Sequence, residues 1–130
     1  MYRWVDHTSE VELEIEAVSE REVFEEALRA LGELLADDPR GHVRRRVVDV
    51  AAADRPTLLA DWLGELVFLA EAESFLAERV VALQLEDARV VATLEGRTAA
   101  PRHLVKAVTY HRLALAERDG LWRARVVLDV

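Results

Sequence analysis

The sequence predicts an α+β domain in which two helices pack on one face of a mostly antiparallel sheet, a two-layer sandwich. Three observations carry that prediction. Residues 10–16 alternate strictly between acidic and apolar side chains. Two later segments place apolar residues three and four apart. Beyond Phe75 the apolar period becomes two and stays so. The resulting order is strand or strands, helix, strand, helix and four strands, rather than the repeated strand–helix–strand of a doubly wound fold.

The first strong signal is Glu10-Val11-Glu12-Leu13-Glu14-Ile15-Glu16. Val11, Leu13 and Ile15 fall on one face and four glutamates on the other, as in a strand with one buried and one wet face. Glutamate is a poor strand former, so packing of the apolar face must hold the segment. Ser19-Glu20-Arg21-Glu22 follows as a capping box. Phe24, Ala27, Leu28, Leu31, Leu34 and Leu35 then form one helical stripe. Asp37-Asp38-Pro39-Arg40-Gly41 ends that helix, because proline cannot continue it.

His42 to Ala53, with Val43, Val47, Val48 and Val50, reads as a strand. Asp54 is the N-cap of a second helix with Pro56 in its first turn. Its apolar face is wider than the first helix's, so deeper burial is expected. Val81, Leu83 and Leu85, then Val90, Ala92 and Leu94, read as a hairpin turning near Glu86-Asp87-Ala88. A short loop, Gly96 to Arg102, leads to a strand over Val105–Glu117. Asp119-Gly120 suits the positive φ of a hairpin turn before the last strand, Leu121–Val130.

Composition bounds the function. The 130 residues favour one domain, residues 1–130, and 52% hydrophobic residues can build its core. There is no cysteine, which excludes a disulfide framework, a Cys-ligated metal and a thiol nucleophile. No apolar run is long enough to span a bilayer, and the opening residues lack a signal-peptide pattern, so a cytoplasmic protein is expected, with no membrane partner. Twenty-five acidic residues against 17 basic ones give −8, which argues against direct sequence-specific nucleic-acid binding. Arg44-Arg45-Arg46 is the one basic run, and it reads as a solvated strand or loop. Five scattered glycines, at 32, 41, 64, 96 and 120, form no phosphate-binding loop.

Four segments can carry chemistry. His7-Thr8-Ser9-Glu10 gathers an imidazole, two hydroxyls and a carboxylate at a strand entrance. It can bind a cation, position a ligand or only satisfy turn backbone groups. Asp129 lies beside Val130, and its carboxylate, a backbone carbonyl and the terminal carboxylate suit a hard cation such as Ca²⁺ or Mg²⁺. That set needs a further carboxylate from elsewhere. Lys106-Ala107-Val108-Thr109-Tyr110-His111 reads as a strand with Lys106 and Tyr110 on one face and Thr109 and His111 on the other. It is either a binding surface or a half-solvated strand. Asp61 and Glu65, four apart on the second helix, are a like-charge pair that is either tolerated in solvent or awaits a basic partner.

In this order the four segments resemble the archease family. The family's aromatic strand followed by His-Thr-Ala-Asp-(apolar)-Gly is matched by Tyr2 to Glu12. Its Trp-Leu-(Asn)-Glu-Leu helix core is matched by Trp62 to Leu66. Its Lys-Ala-(apolar)-Thr-Tyr-His block recurs unchanged at Lys106 to His111. Its Trp-x-Ala-x-Val-(apolar)-(apolar)-Asp-(apolar) ending is matched by Trp122 to Val130. The resemblance spans the chain, and the last two blocks are its specific part.

That resemblance implies an accessory protein without catalysis of its own. Its partner would be an RtcB-type tRNA-splicing RNA ligase, which joins a 2′,3′-cyclic or 3′-phosphate RNA end to a 5′-hydroxyl end using GTP and Mn²⁺. The accessory protein promotes guanylylation of the ligase's histidine and multiple turnover. The resemblance also implies a divalent-metal site, calcium first with magnesium or manganese as substitutes, at Glu10, Asp129 and Val130. His7, Thr8, Lys106, Thr109, Tyr110 and His111 fall on the implied functional surface. Three departures stand out. Glu10 replaces Asp, adding a methylene and a rotatable bond; Glu12 replaces Gly, adding charge at the mouth of the site; and the loop before Lys106 is short. Two rival readings remain: a metal-dependent small-molecule-binding or hydrolytic domain using His7, His111, Glu10 and Asp129, and a general chaperone.

Overall fold

The computed structural model describes residues 1–35, 38–101 and 105–130. Its elements are β1 (Tyr2–His7), β2 (Glu10–Ala17), α1 (Glu20–Leu35), β3 (Arg40–Ala51) and α2 (Arg55–Glu73), then β4 (Phe75–Glu86), β5 (Arg89–Thr98), β6 (Ala107–Arg118) and β7 (Leu121–Asp129). The α+β expectation holds, with its two helices and antiparallel strands. The strands divide between two sheets, one ordered β1-β2-β7-β6 and the other β3-β5-β4. Alternation marks which face of a strand is buried but not which sheet the strand joins.

Local chemistry sets the helix starts. The Glu22 N–H donates to Ser19 Oγ at 3.1 Å, as the capping box requires. The Glu22 carboxylate accepts from the Val18 N–H at 3.1 Å, one residue before the N-cap N–H that usually donates this bond. In α2 the Thr57 N–H donates to the Asp54 carboxylate at 2.8 Å. That helix ends at Ser74 in the left-handed region, at φ 53°, with the Ser74 N–H bonded to the Leu69 carbonyl. Glu20, nearly buried at the start of α1, pairs with Arg55 at the start of α2.

The core lies between the helices and the two sheets. Both helices touch strands of both sheets, α1 through β2 and β4, α2 through β6 and β4. Trp62 is fully buried, its indole N–H donates to the Phe24 carbonyl at 3.1 Å, and its ring meets Phe24 edge-on at 5.7 Å. The deeper burial expected of the second helix is not observed: Leu58, Leu59, Trp62 and Leu63 are wholly enclosed, but so are Val23, Phe24, Ala27 and Ala30 of α1, and Phe68 of α2 stays exposed.

One expected connection differs. Gly96 lies inside β5, where a Cβ would run into the Leu76 carbonyl of the neighbouring strand. Residues 102–104 of the loop ahead of Lys106 lie outside the described residues, as does Asp37 of the turn after α1. Asp119 and Gly120 both take positive φ, 56° and 78°, in the predicted β6–β7 hairpin turn. The basic run lies in edge strand β3, where Arg45 pairs with Glu95 at 3.3 Å and Arg46 with Glu73 at 3.1 Å.

Candidate functional site

The site forms where the two ends of the chain meet in the four-stranded sheet. Thr8 and Ser9 make the turn between β1 and β2, with Ser9 at φ 63°. Glu10 opens β2 and Asp129 closes β7, and the two are register partners. Val11, Leu13 and Ile15 on β2, like Ala124, Val126 and Leu128 on β7, turn toward the core. Glu10 and Asp129 therefore share the opposite, outer face. The Val130 N–H donates to the Ser9 carbonyl at 3.2 Å. That makes the adjoining Glu10–Asp129 pair a non-hydrogen-bonded one, the type that brings side chains closest.

The neighbouring rows of that face are filled differently. Glu14 stands opposite Arg125, and Glu16 opposite Arg123. Arg123 pairs with Glu16 at 3.1 Å, and Arg3 of β1 pairs with Glu14 at 2.9 Å. Glu12 stands opposite Val127, with Arg112 at 3.1 Å and Arg125 at 3.8 Å from its carboxylate oxygens. Only the Glu10–Asp129 row sets acid against acid. Among the described residues neither carboxylate has a cationic side chain within 4.0 Å. Like charges directly opposed across a sheet are unfavourable unless something neutralises them.

The residues foreseen as a functional surface are partly brought together. His7 is the register partner of Glu10 and so lies in the same row, exposed, and Thr8 is exposed in the turn beside it. Lys106 precedes β6 rather than belonging to it, correcting the strand expected from Val105; its N–H donates to the Asp129 carbonyl at 2.8 Å. Thr109 is half-buried opposite Val127, and its hydroxyl accepts from the His111 N–H at 3.3 Å.

Regular alternation over Lys106–His111 then fails. The β6–β7 register slips between Thr109 and Ala114, and Arg112 sits at φ 57°. Tyr110 belongs to a different neighbourhood: its hydroxyl donates to the Asp61 carboxylate of α2 at 2.6 Å, which pushes the Tyr110 pKa up. That bond gives Asp61 a neutral donor partner. A cleft of about 440 Å³ opens there, lined by Asp49, Asp61, Glu65, Val108 and Tyr110 among others.

Glu12 departs most from expectation. Alternation places it on the wet face, yet it is 5% exposed. No sequence signal marks the arginine of a bulge that folds over it.

The donor set tests the implied metal. Glu10 and Asp129 offer oxygen alone, the donor type preferred by calcium and magnesium. Among the described residues no group of three or more His, Cys, Asp or Glu is arranged to hold a metal ion. Two carboxylates supply oxygen donors but do not form a closed cage.

A sequence model of the Archease protein family (MTH1598/TM1083) matches residues 2–130. The chain belongs to the archease family. The protein archease of Methanothermobacter thermautotrophicus is 35% identical over 117 residues, covering 84% of each chain. The protein archease of Archaeoglobus fulgidus is 32% identical, covering 99% of this chain and 98% of its own. In solved structures, the archease-family chain resembles protein 1598 of Methanobacterium thermoautotrophicum with a TM-score of 0.70 at 28% identity, over 99% of this chain and 98% of that one. A Thermotoga maritima archease, described as a possible chaperone, shares the fold with a TM-score of 0.68 at 18% identity, over 100% of this chain and 98% of that one. No described helix is long and apolar enough to cross a membrane.

Proposed function

We propose that this archease-family chain is a non-catalytic activator of an RtcB-type tRNA-splicing RNA ligase, acting through a divalent-cation site at Glu10, Asp129 and Val130. The observation that carries the reading is the single uncompensated acid–acid row in a face otherwise laddered with arginine and glutamate. Two opposed carboxylates hold a hard cation by charge and oxygen ligation, and a main-chain oxygen of Val130 would add a third oxygen donor. A divalent ion held by so few protein groups supplies a positive centre with open positions for oxygen ligands of a partner.

The chain's own residues orient the site. The Ser9–Val130 and Lys106–Asp129 backbone bonds tie β7's end to the β1–β2 turn and to the segment before β6. His7 and Thr8 border the carboxylates, within reach of the same partner surface. The net charge of −8 favours docking on a basic, RNA-binding protein surface over binding RNA directly.

The test is a ligation assay with the source organism's ligase, excess RNA ends, GTP and Mn²⁺, with and without this chain. Multiple turnover only in its presence is expected. Asp129→Ala should abolish the stimulation while leaving the thermal unfolding transition in place. Normal stimulation by that variant overturns the reading. Phosphoester hydrolysis by the isolated chain, lost in Glu10→Ala, would favour the hydrolytic alternative. Protection of unrelated aggregating proteins would favour a general chaperone.

A further inference from the structure

We propose that Glu12 is a positioning residue: through Arg112 it pins the bulge of β6 and sets how the segment Thr109–His111, which follows Asp129's register partner Ala107, is presented. The proposal rests on the activator reading, because that reading supplies the activity it would tune.

Glu12 is the most buried ionisable side chain among the described residues, although it stands on the sheet's outer face between exposed or half-exposed glutamates. Burial there comes from its covering side chains. Arg112 Nη1 lies 3.1 Å from Glu12 Oε1, and Arg125 Nε lies 3.8 Å from Oε2. Oε1 is shielded from solvent and has no well-aligned hydrogen bond, so Arg112 is the nearest cation that compensates it.

Arg112 is no ordinary strand residue. From Thr109 to Ala114 the chain advances five positions on β6 (114 − 109), while its partners on β7 advance only two (127 − 125). Three extra residues must loop out of the ladder, and Arg112 takes a left-handed φ of 57° among them. A non-glycine residue holds that conformation only when its surroundings over-determine it. The bulge is held at two points: Tyr110 bonds Asp61 of α2, and Arg112 pairs with Glu12 of β2. His111 lies between the two anchors, exposed. Glu12 is also two residues from Glu10 on the same face. One strand therefore carries both the cation-site carboxylate and the anchor of the segment beside it.

The experiment compares the full chain with Glu12→Gln, Arg112→Gln and the double variant. Arg112 has a half-exposed side chain, so its replacement does not threaten the core even where Glu12→Gln folds poorly. Amide hydrogen exchange should rise at least tenfold over residues 110–113 in either variant, with β2 and β7 unchanged. Ligase turnover should fall at least tenfold in either single variant and no further in the double one. Terbium or calcium affinity should change less than threefold. Unaltered exchange at the bulge, turnover losses that multiply in the double variant, or a cation affinity that falls with turnover would each overturn the proposal. If the unaltered chain fails to stimulate the ligase, the activator reading falls, and the exchange measurement still decides whether Glu12 pins the bulge.

Discussion

At one end of the outer face of the four-stranded sheet, Glu14 and Glu16 meet arginines from β1 and β7. At the other end, Glu10 meets Asp129. Both ends are built from the same alternating strands, and the difference lies only in which charge the long-range partner brings. A compensated row needs nothing further. An uncompensated one stores repulsion that a cation relieves, so the second end is where ligand binding can do work.

The largest expected effect breaks the uncompensated end. Asp129→Ala should lower ligase turnover at least tenfold and remove the calcium-dependent rise in melting temperature. For the unaltered chain at a calcium concentration of 100 Kd, that rise corresponds to about 2.7 kcal/mol, and chelation should reverse it. A calcium-independent melting temperature in the unaltered chain would argue against the site.

The next effect converts one end into the other. Arg123→Asp puts an acid opposite Glu16 and recreates the acid–acid row. Stability at low salt should fall by ~0.5–1 kcal/mol in urea denaturation, and calcium should restore part of it. The reverse conversion is smaller. Asp129→Asn without divalent cations should raise stability by a few tenths of a kcal/mol, on the order expected for removing one opposed like charge. A loss of stability instead would mean that the carboxylates are already compensated.

The smallest effect concerns the compensated end's margin. The Tyr2 hydroxyl bonds Glu33 of α1; burial first, and then this neighbouring carboxylate, push its pKa from 10.0 up to about 12. A folded-state pKa above the unfolded value adds stability that is whole below pH 10.0 and lost as pH rises toward about 12. Tyr2→Phe should flatten the alkaline stability profile in that window and leave neutral-pH calcium binding unchanged.

Much of the fold was legible in local chemistry. The alternation of residues 10–16 assigned the core face of β2 correctly. Ser19, Asp54, Ser74 and Asp119-Gly120 show how short-range donors and positive φ mark element ends, although Ser74 was not foreseen as a cap. The split into two sheets was not legible, because alternation specifies a face without specifying a neighbour. The same limit applies to the candidate site. Glu10 and Asp129 each allowed a cation reading at the end of its strand, but resemblance to a family, rather than periodicity, brought them together as an expectation.

The sequence by itself determined the elements, their buried faces and the excess of acid, since these follow from side-chain period, caps and counting. Tertiary structure alone decided the register that sets Glu10 against Asp129 while setting Glu14 and Glu16 against arginines. It also decided that Glu12 is buried, by folding Arg112 of an irregular strand over it. The physical reason is common to both: charge compensation and burial depend on residues distant in the chain, and only the assembled sheet brings those residues within reach.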